Sequence, residues 1–83
     1  EIYKKCILKW NKDDKIGLAY LQMIISFAYS KLAFFDFAQI SLEQSIFNVP
    51  TYIVALNNII YIYERRYLQK KYIETLIYTN SLV

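Results

Sequence analysis

The chain contains no histidine, one cysteine, one glycine and one proline among its 83 residues. Without histidine, neither a Ser-His-Asp nor a Cys-His nucleophile can be assembled. The lone thiol, Cys6, cannot close an internal disulfide, and with no histidine to join it there is no zinc or haem ligand set. Cys6 therefore reads as a small buried hydrophobe, and the lack of disulfides fits a reducing compartment. The single glycine, Gly17, excludes both the phosphate-cradling loop and the dinucleotide fingerprint. The carboxylates are scattered: Asp13 and Asp14 fall in a polar stretch, and Asp36, Glu43, Glu64 and Glu74 take helical positions expected to face water. No spacing pairs them as a general acid and base. The expectation is a protein with no catalytic residues, no metal and no cofactor.

Scarce glycine and proline also argue against a turn-rich all-β fold, and a hydrophobic content of 57% argues against disorder. Helices joined by short turns remain. A chain this short forms one domain, burying roughly 60% of the surface its unfolded form exposes, which leaves no room for a large enclosed site. Glu1 to Trp10 lacks the uninterrupted apolar core and small-residue cleavage site of a secretory signal. Gly17 to Phe35 approaches the length of a membrane span, but Gln22, Ser26, Ser30 and Lys31 interrupt it, and it reads as a soluble-type helix and its turn. Thirteen Ile, nine Tyr and five Phe against five Ala match the codon bias of an AT-rich genome. Single exposed tyrosines accordingly carry less weight than clusters.

What the chain does have is a pattern repeated after 34 residues: Ile25 recurs as Ile59, Tyr29 as Tyr63 and Leu42 as Leu76. In the first copy Ser26, Ala38 and Ser45 are small enough for helices to cross closely, Tyr29 fills the space between them, and Pro50 cannot continue a helix. The second copy keeps Leu56, Ile59, Tyr63 and Leu76 but has Ile60, Tyr72 and Thr79 at the small positions. A one-residue insertion near Tyr67 is an alternative register for its second helix, and would turn Ile73 and Ile77 to the core. Helices are expected near Leu18 to Lys31, Phe35 to Asn48, Thr51 to Arg66 and Gln69 to Ser81. Thr51 is the expected cap of the third, Asn48 the residue tolerant of left-handed geometry, and Asp14 lies in a stretch that offers caps. Upstream, Tyr3, Cys6, Ile7 and Trp10 share one helical face.

The residues Ile25, Ser26, Tyr29, Ala38, Leu42, Ser45 and Pro50 stand where the tetratricopeptide repeat (TPR) places its signature residues, and the chain resembles that family. The resemblance implies an all-α fold of TPR-type hairpins stacked in a right-handed superhelix. It divides the chain into a partial repeat with a link (1–16), one repeat (17–50) and a second (51–83), with the whole read as a fragment of a longer protein. It also implies a concave face lined by the first helix of each hairpin. On this chain those positions are Tyr20, Met23, Phe27 and Lys31, then Val54, Asn57, Asn58, Tyr61 and Arg65. Asn57 or Asn58 would hydrogen-bond a ligand backbone, Met23 and Phe27 would receive an apolar side chain unless they belong to the core, and Lys31 with Arg65 would pair with a carboxylate. The carboxylate clamp known in the family needs several basic residues over three repeats, and only these two are in place.

The run ALNNIIYIYERRYLQKKYIETLIYTN further resembles small TPR proteins of algal plastids and cyanobacteria that assist photosystem I assembly. That implies a protein client, photosystem I subunits among the candidates, and a plastid location on the stromal side of the thylakoid. Any membrane association would come through missing regions or a partner, and nucleic acid is not expected. Two other readings are kept, a peptide-sensing domain of a bacterial regulator and a helical-repeat RNA binder. Arg65, Arg66, Lys70 and Lys71 lie within seven positions. They either complement a helix C-terminus or form a patch for an acidic partner, anionic lipid or RNA.

Overall fold

The computed structural model describes residues 14–82, which form four helices and no strand: α1 (Lys15–Lys31), α2 (Phe35–Asn48), α3 (Ile53–Arg65) and α4 (Gln69–Ser81). The upstream face Tyr3, Cys6, Ile7 and Trp10 lies outside the described residues. Each helix packs on the next, α1 on α2, α2 on α3 and α3 on α4. α1 begins where the Asp14 carboxylate accepts the Gly17 N–H at 2.9 Å, satisfying one of the four amides that an α-helix leaves unpaired at its start. α2 has no side-chain cap, and Asp36 in its first turn complements the positive end of its dipole.

The backbone repeats with the same 34-residue offset as the sequence. α1 and α3 end at Lys31 and Arg65, α2 and α4 start at Phe35 and Gln69, and the only non-glycine residues with positive φ among the described residues are Ala33 (61°) and Tyr67 (59°). Both close the same motif. The Phe34 N–H reaches the Tyr29 carbonyl at 2.9 Å and the Ala33 N–H that of Ser30 at 3.0 Å; Leu68 to Tyr63 (2.9 Å) and Tyr67 to Glu64 (3.1 Å) repeat it. This is the left-handed helix ending that glycine usually occupies. Asn48, expected to take that geometry, is instead helical. α2 ends because Val49 is extended (φ −136°) before Pro50, whose ring disfavours helical geometry in the preceding residue. The N-cap of α3 is Tyr52, with no side-chain cap bond, so Thr51 does not cap it.

The core lies between α2 and α3, where Ala38, Leu42, Ala55, Ile59, Ile62 and Tyr63 are buried together, with Met23, Tyr29, Phe35, Ile46, Leu68 and Tyr72 packed partly against them. Ser26, Ala38 and Ser45 are almost fully buried, as helix crossings require. Burial of hydroxyls is tolerated because each has a partner: Ser26 Oγ donates to the Met23 carbonyl (2.6 Å) and Ser45 Oγ crosses to the Ala19 carbonyl (2.7 Å). Asn48 Nδ2 donates to Gln22 Oε1 at 2.8 Å, tying the other end of the first hairpin.

Of the two registers open for the last helix, the structure takes the one without an insertion. Thr79, the counterpart of Ser45, is buried, while Ile73 and Ile77 are 53% and 64% exposed. α4 is the least covered helix, with Thr79 its one buried residue. No helix of the described residues is long and apolar enough to cross a membrane; α1 stops at Lys31, inside the apolar stretch considered above.

Candidate functional site: the outer face of the first helices

α1 and α3 each bury one side against their hairpin partner, so the residues on the opposite side are available. Tyr20, Phe27, Val54 and Tyr61 are about half exposed, at 50% to 55%, and Lys31, Asn57 and Arg65 are exposed. Asn58 is half-buried. Met23 departs from expectation: it packs against the core, so it belongs to the fold more than to the accessible face. Phe27, its neighbour one turn on, does not follow it inward.

Equivalent positions of the two hairpins carry equivalent pairs. Lys31 Nζ lies 5.1 Å from the Phe27 ring centre, and the Arg65 guanidinium lies 5.8 Å from the Tyr61 ring. A spacing of four residues on a helix brings these side chains over one another, and a cation over an aromatic face gains about 0.5–1 kcal/mol at exposed sites. Arg65 also lies 5.4 Å from the Phe35 ring of α2, which holds it across the hairpin. The result is an aromatic ring with a positioned cation near the end of each first helix, able to take an apolar side chain beside a carboxylate or a carbonyl oxygen.

At the other end of the same face, Ile16, Gly17, Tyr20, Val49 and Tyr52 line a groove of about 360 Å³. The Tyr52 hydroxyl is raised above its ordinary pKa, first by burial and then by the proximity of Tyr20. The Tyr52 hydroxyl therefore stays protonated at physiological pH and can donate.

Glu43, expected to face water, is the centre of a polar cluster that the sequence did not disclose. Its Oε2 accepts the Tyr63 hydroxyl (3.0 Å) and Gln39 Nε2 (3.2 Å), and lies 3.7 Å from Lys71 Nζ. Arg66 in turn donates to Gln39 Oε1 at 2.6 Å. Three members of the basic cluster are thus engaged within the molecule: Arg65 by rings, Arg66 by Gln39 and Lys71 by Glu43. Lys70 has no partner among the described residues. The only advance signal was the Gln39–Glu43 spacing of one helical turn, which is too common to single out. Among the described residues no three of His, Cys, Asp or Glu gather into a metal-binding group.

The Tyr63 hydroxyl is pushed well above its ordinary pKa, mainly by burial, then by its bond to Glu43 and the carboxylate's charge. Because the folded value is raised, the contribution is complete below the unfolded value of about 10 and is lost as pH rises above it, when only the unfolded chain releases this proton readily. The unfolding temperature is expected to fall above about pH 10, and Tyr63→Phe to flatten that fall. A pH series of thermal melts on both proteins checks this; parallel profiles would contradict it.

No family model matches the chain, and no solved structure matches it. Across 56 residues it is 43% identical to the uncharacterized protein ycf37 of Guillardia theta. The aligned stretch is 68% of this chain and 32% of that protein, so the chain spans about a third of the length of the curated relative it matches.

Proposed function

We propose that the chain is a non-catalytic interaction module that holds a protein or peptide client along the outer face of α1 and α3, and that its clients are photosystem I subunits during assembly, on the stromal side of the thylakoid. The observation that carries the client-binding reading is the recurrence, one repeat apart, of a half-exposed aromatic residue with a positioned cation: Phe27 with Lys31 and Tyr61 with Arg65. Folding alone does not require aromatic residues to stay half exposed at both places, whereas a ligand crossing both hairpins would meet the same chemistry twice. The likeness to ycf37, together with the resemblance to TPR proteins of plastids, supports the compartment and the class of client.

The test is capture of isolated photosystem I subunits by the tagged chain, beside a variant with Asn57, Tyr61 and Arg65 changed to alanine. Tyrosine and arginine at the centre of an interface commonly cost more than 1 kcal/mol each when truncated, so the variant should bind at least about tenfold more weakly. Its unfolding temperature should fall by only about 5 °C, because Asn57 and Tyr61 face outward and Arg65 gives up only exposed contacts with the Phe35 and Tyr61 rings. Equal capture by both proteins would sink the assignment of this face, and retention of RNA in place of protein, abolished by ribonuclease, would reverse the choice of client.

A further inference from the structure

The two hairpin turns lie side by side at one end of the stack. Arg65, in the last turn of α3, sits over the ring of Phe35 at the start of α2 (5.4 Å), and Arg66 bonds Gln39 one turn further along (2.6 Å). Apolar side chains crowd this end without cover: Leu32 is 65% exposed, Phe34 49%, Phe37 51% and Tyr67 89%. Phe34 and Phe37 pack edge to face, 6.3 Å between ring centres, and so form one patch. Around them, residues 31–37 and 64–71 carry five cations, Lys31, Arg65, Arg66, Lys70 and Lys71, against two carboxylates, Asp36 and Glu64. That surplus equals the net charge of the whole chain, +3.

Tyr67 is the residue folding does not explain. At φ 59° a side chain beyond Cα is disfavoured by about 1–2 kcal/mol, and at 89% exposure the ring recovers little of that by packing. Ala33 fills the same place in the other turn at φ 61°, so the geometry itself calls for nothing aromatic. A bulky aromatic held in left-handed geometry and presented to solvent points to a contact made outside the molecule.

We infer that this end is a docking face for an anionic lipid bilayer, with Tyr67, Leu32 and Phe34 entering the headgroup boundary and Lys70 and its neighbouring cations over the lipid phosphates. An amphipathic ring suits the interface between headgroups and acyl chains, and clustered Lys and Arg are drawn to an anionic surface. The charge complementarity selects anionic over neutral lipid. This goes beyond the client-binding reading, which concerns the outer face of α1 and α3; Arg65 serves both surfaces and is left intact in the test.

The test is co-sedimentation of the 83-residue chain with vesicles of phosphatidylcholine, alone or mixed with phosphatidylglycerol, at low and high salt. The chain is expected to pellet with the phosphatidylglycerol vesicles and to be released by salt. Lys70→Gln should lower the partition about fivefold, the effect of one basic residue near such a surface. Tyr67→Gly should lower it about tenfold by removing the ring and yet raise the unfolding temperature by about 5 °C, because glycine accepts the left-handed geometry freely. Tyr67→Trp should retain binding. Undiminished binding by Tyr67→Gly, or equal binding to neutral and anionic vesicles, would overturn the inference. So would failure of the parent to pellet, and retention on immobilised polyglutamate in that case would point to an acidic protein as the ligand.

Discussion

Leu42→Ala is expected to lower the stability of the fold by about 3 kcal/mol, whereas the same change at its repeat counterpart, Leu76→Ala, should cost less than about 1 kcal/mol. The two leucines occupy equivalent positions 34 residues apart, and a reading of the repeat alone would assign them equal weight. Their surroundings differ. Leu42 is 1% exposed and sits in the core with Ala55, Ile59 and Ile62, while Leu76 is 36% exposed. Truncating Leu42 leaves a cavity walled by two helices that cannot both collapse into it; truncating Leu76 removes a side chain that solvent already reaches. A domain of this size has about 5 kcal/mol in total, so Leu42→Ala should move the urea midpoint by more than half of its value with little change in slope. Equal shifts for both variants would mean that Leu76 is covered in solution by something that closes the end of the stack.

Ala38→Leu is expected to destabilise by about 1–3 kcal/mol through overpacking. Ala38 is completely buried at the α2–α3 crossing, and its Cβ leaves no space for three more carbons. The counterpart in α4 is Tyr72, half-buried and packed against the edge of the core, so Tyr72→Leu should change stability by well under 1 kcal/mol. The contrast tests whether close helix approach, not side-chain identity, decides what the position accepts. A silent Ala38→Leu, measured by thermal melting, would show that α2 and α3 are further apart than described.

Much of the fold was legible because it follows from local pattern. Ile25, Ser26, Ala38, Leu42, Ser45, Leu56, Ile59 and Tyr63 are buried, as their spacing implied, and the helix limits fall within a few residues of those expected. The left-handed positions were not legible. Glycine marks them in most proteins, but here they hold Ala33 and Tyr67, and attention falls on Asn48 by default. Thr51 has the right chemistry for a cap, but the chain does not enter the helix until Ile53. Of the residues expected to meet a client, Tyr20, Phe27, Lys31, Val54, Asn57, Tyr61 and Arg65 are accessible, Asn58 is half-buried and Met23 turns inward. Periodicity cannot separate residues such as Met23 and Phe27 when the stripe is apolar on more than one side.

By itself the sequence determined the helical class, the 34-residue period, the residues at the helix crossings and the lack of a His-dependent nucleophile, since each depends on composition or on spacing within one or two helical turns. Only the tertiary structure decided which apolar residues remain outside, how Glu43 gathers Tyr63, Gln39 and Lys71 from three helices, and that Tyr67 stands in solvent beside the other turn. Those features depend on contacts between residues far apart in the chain and on where the stack leaves a face uncovered.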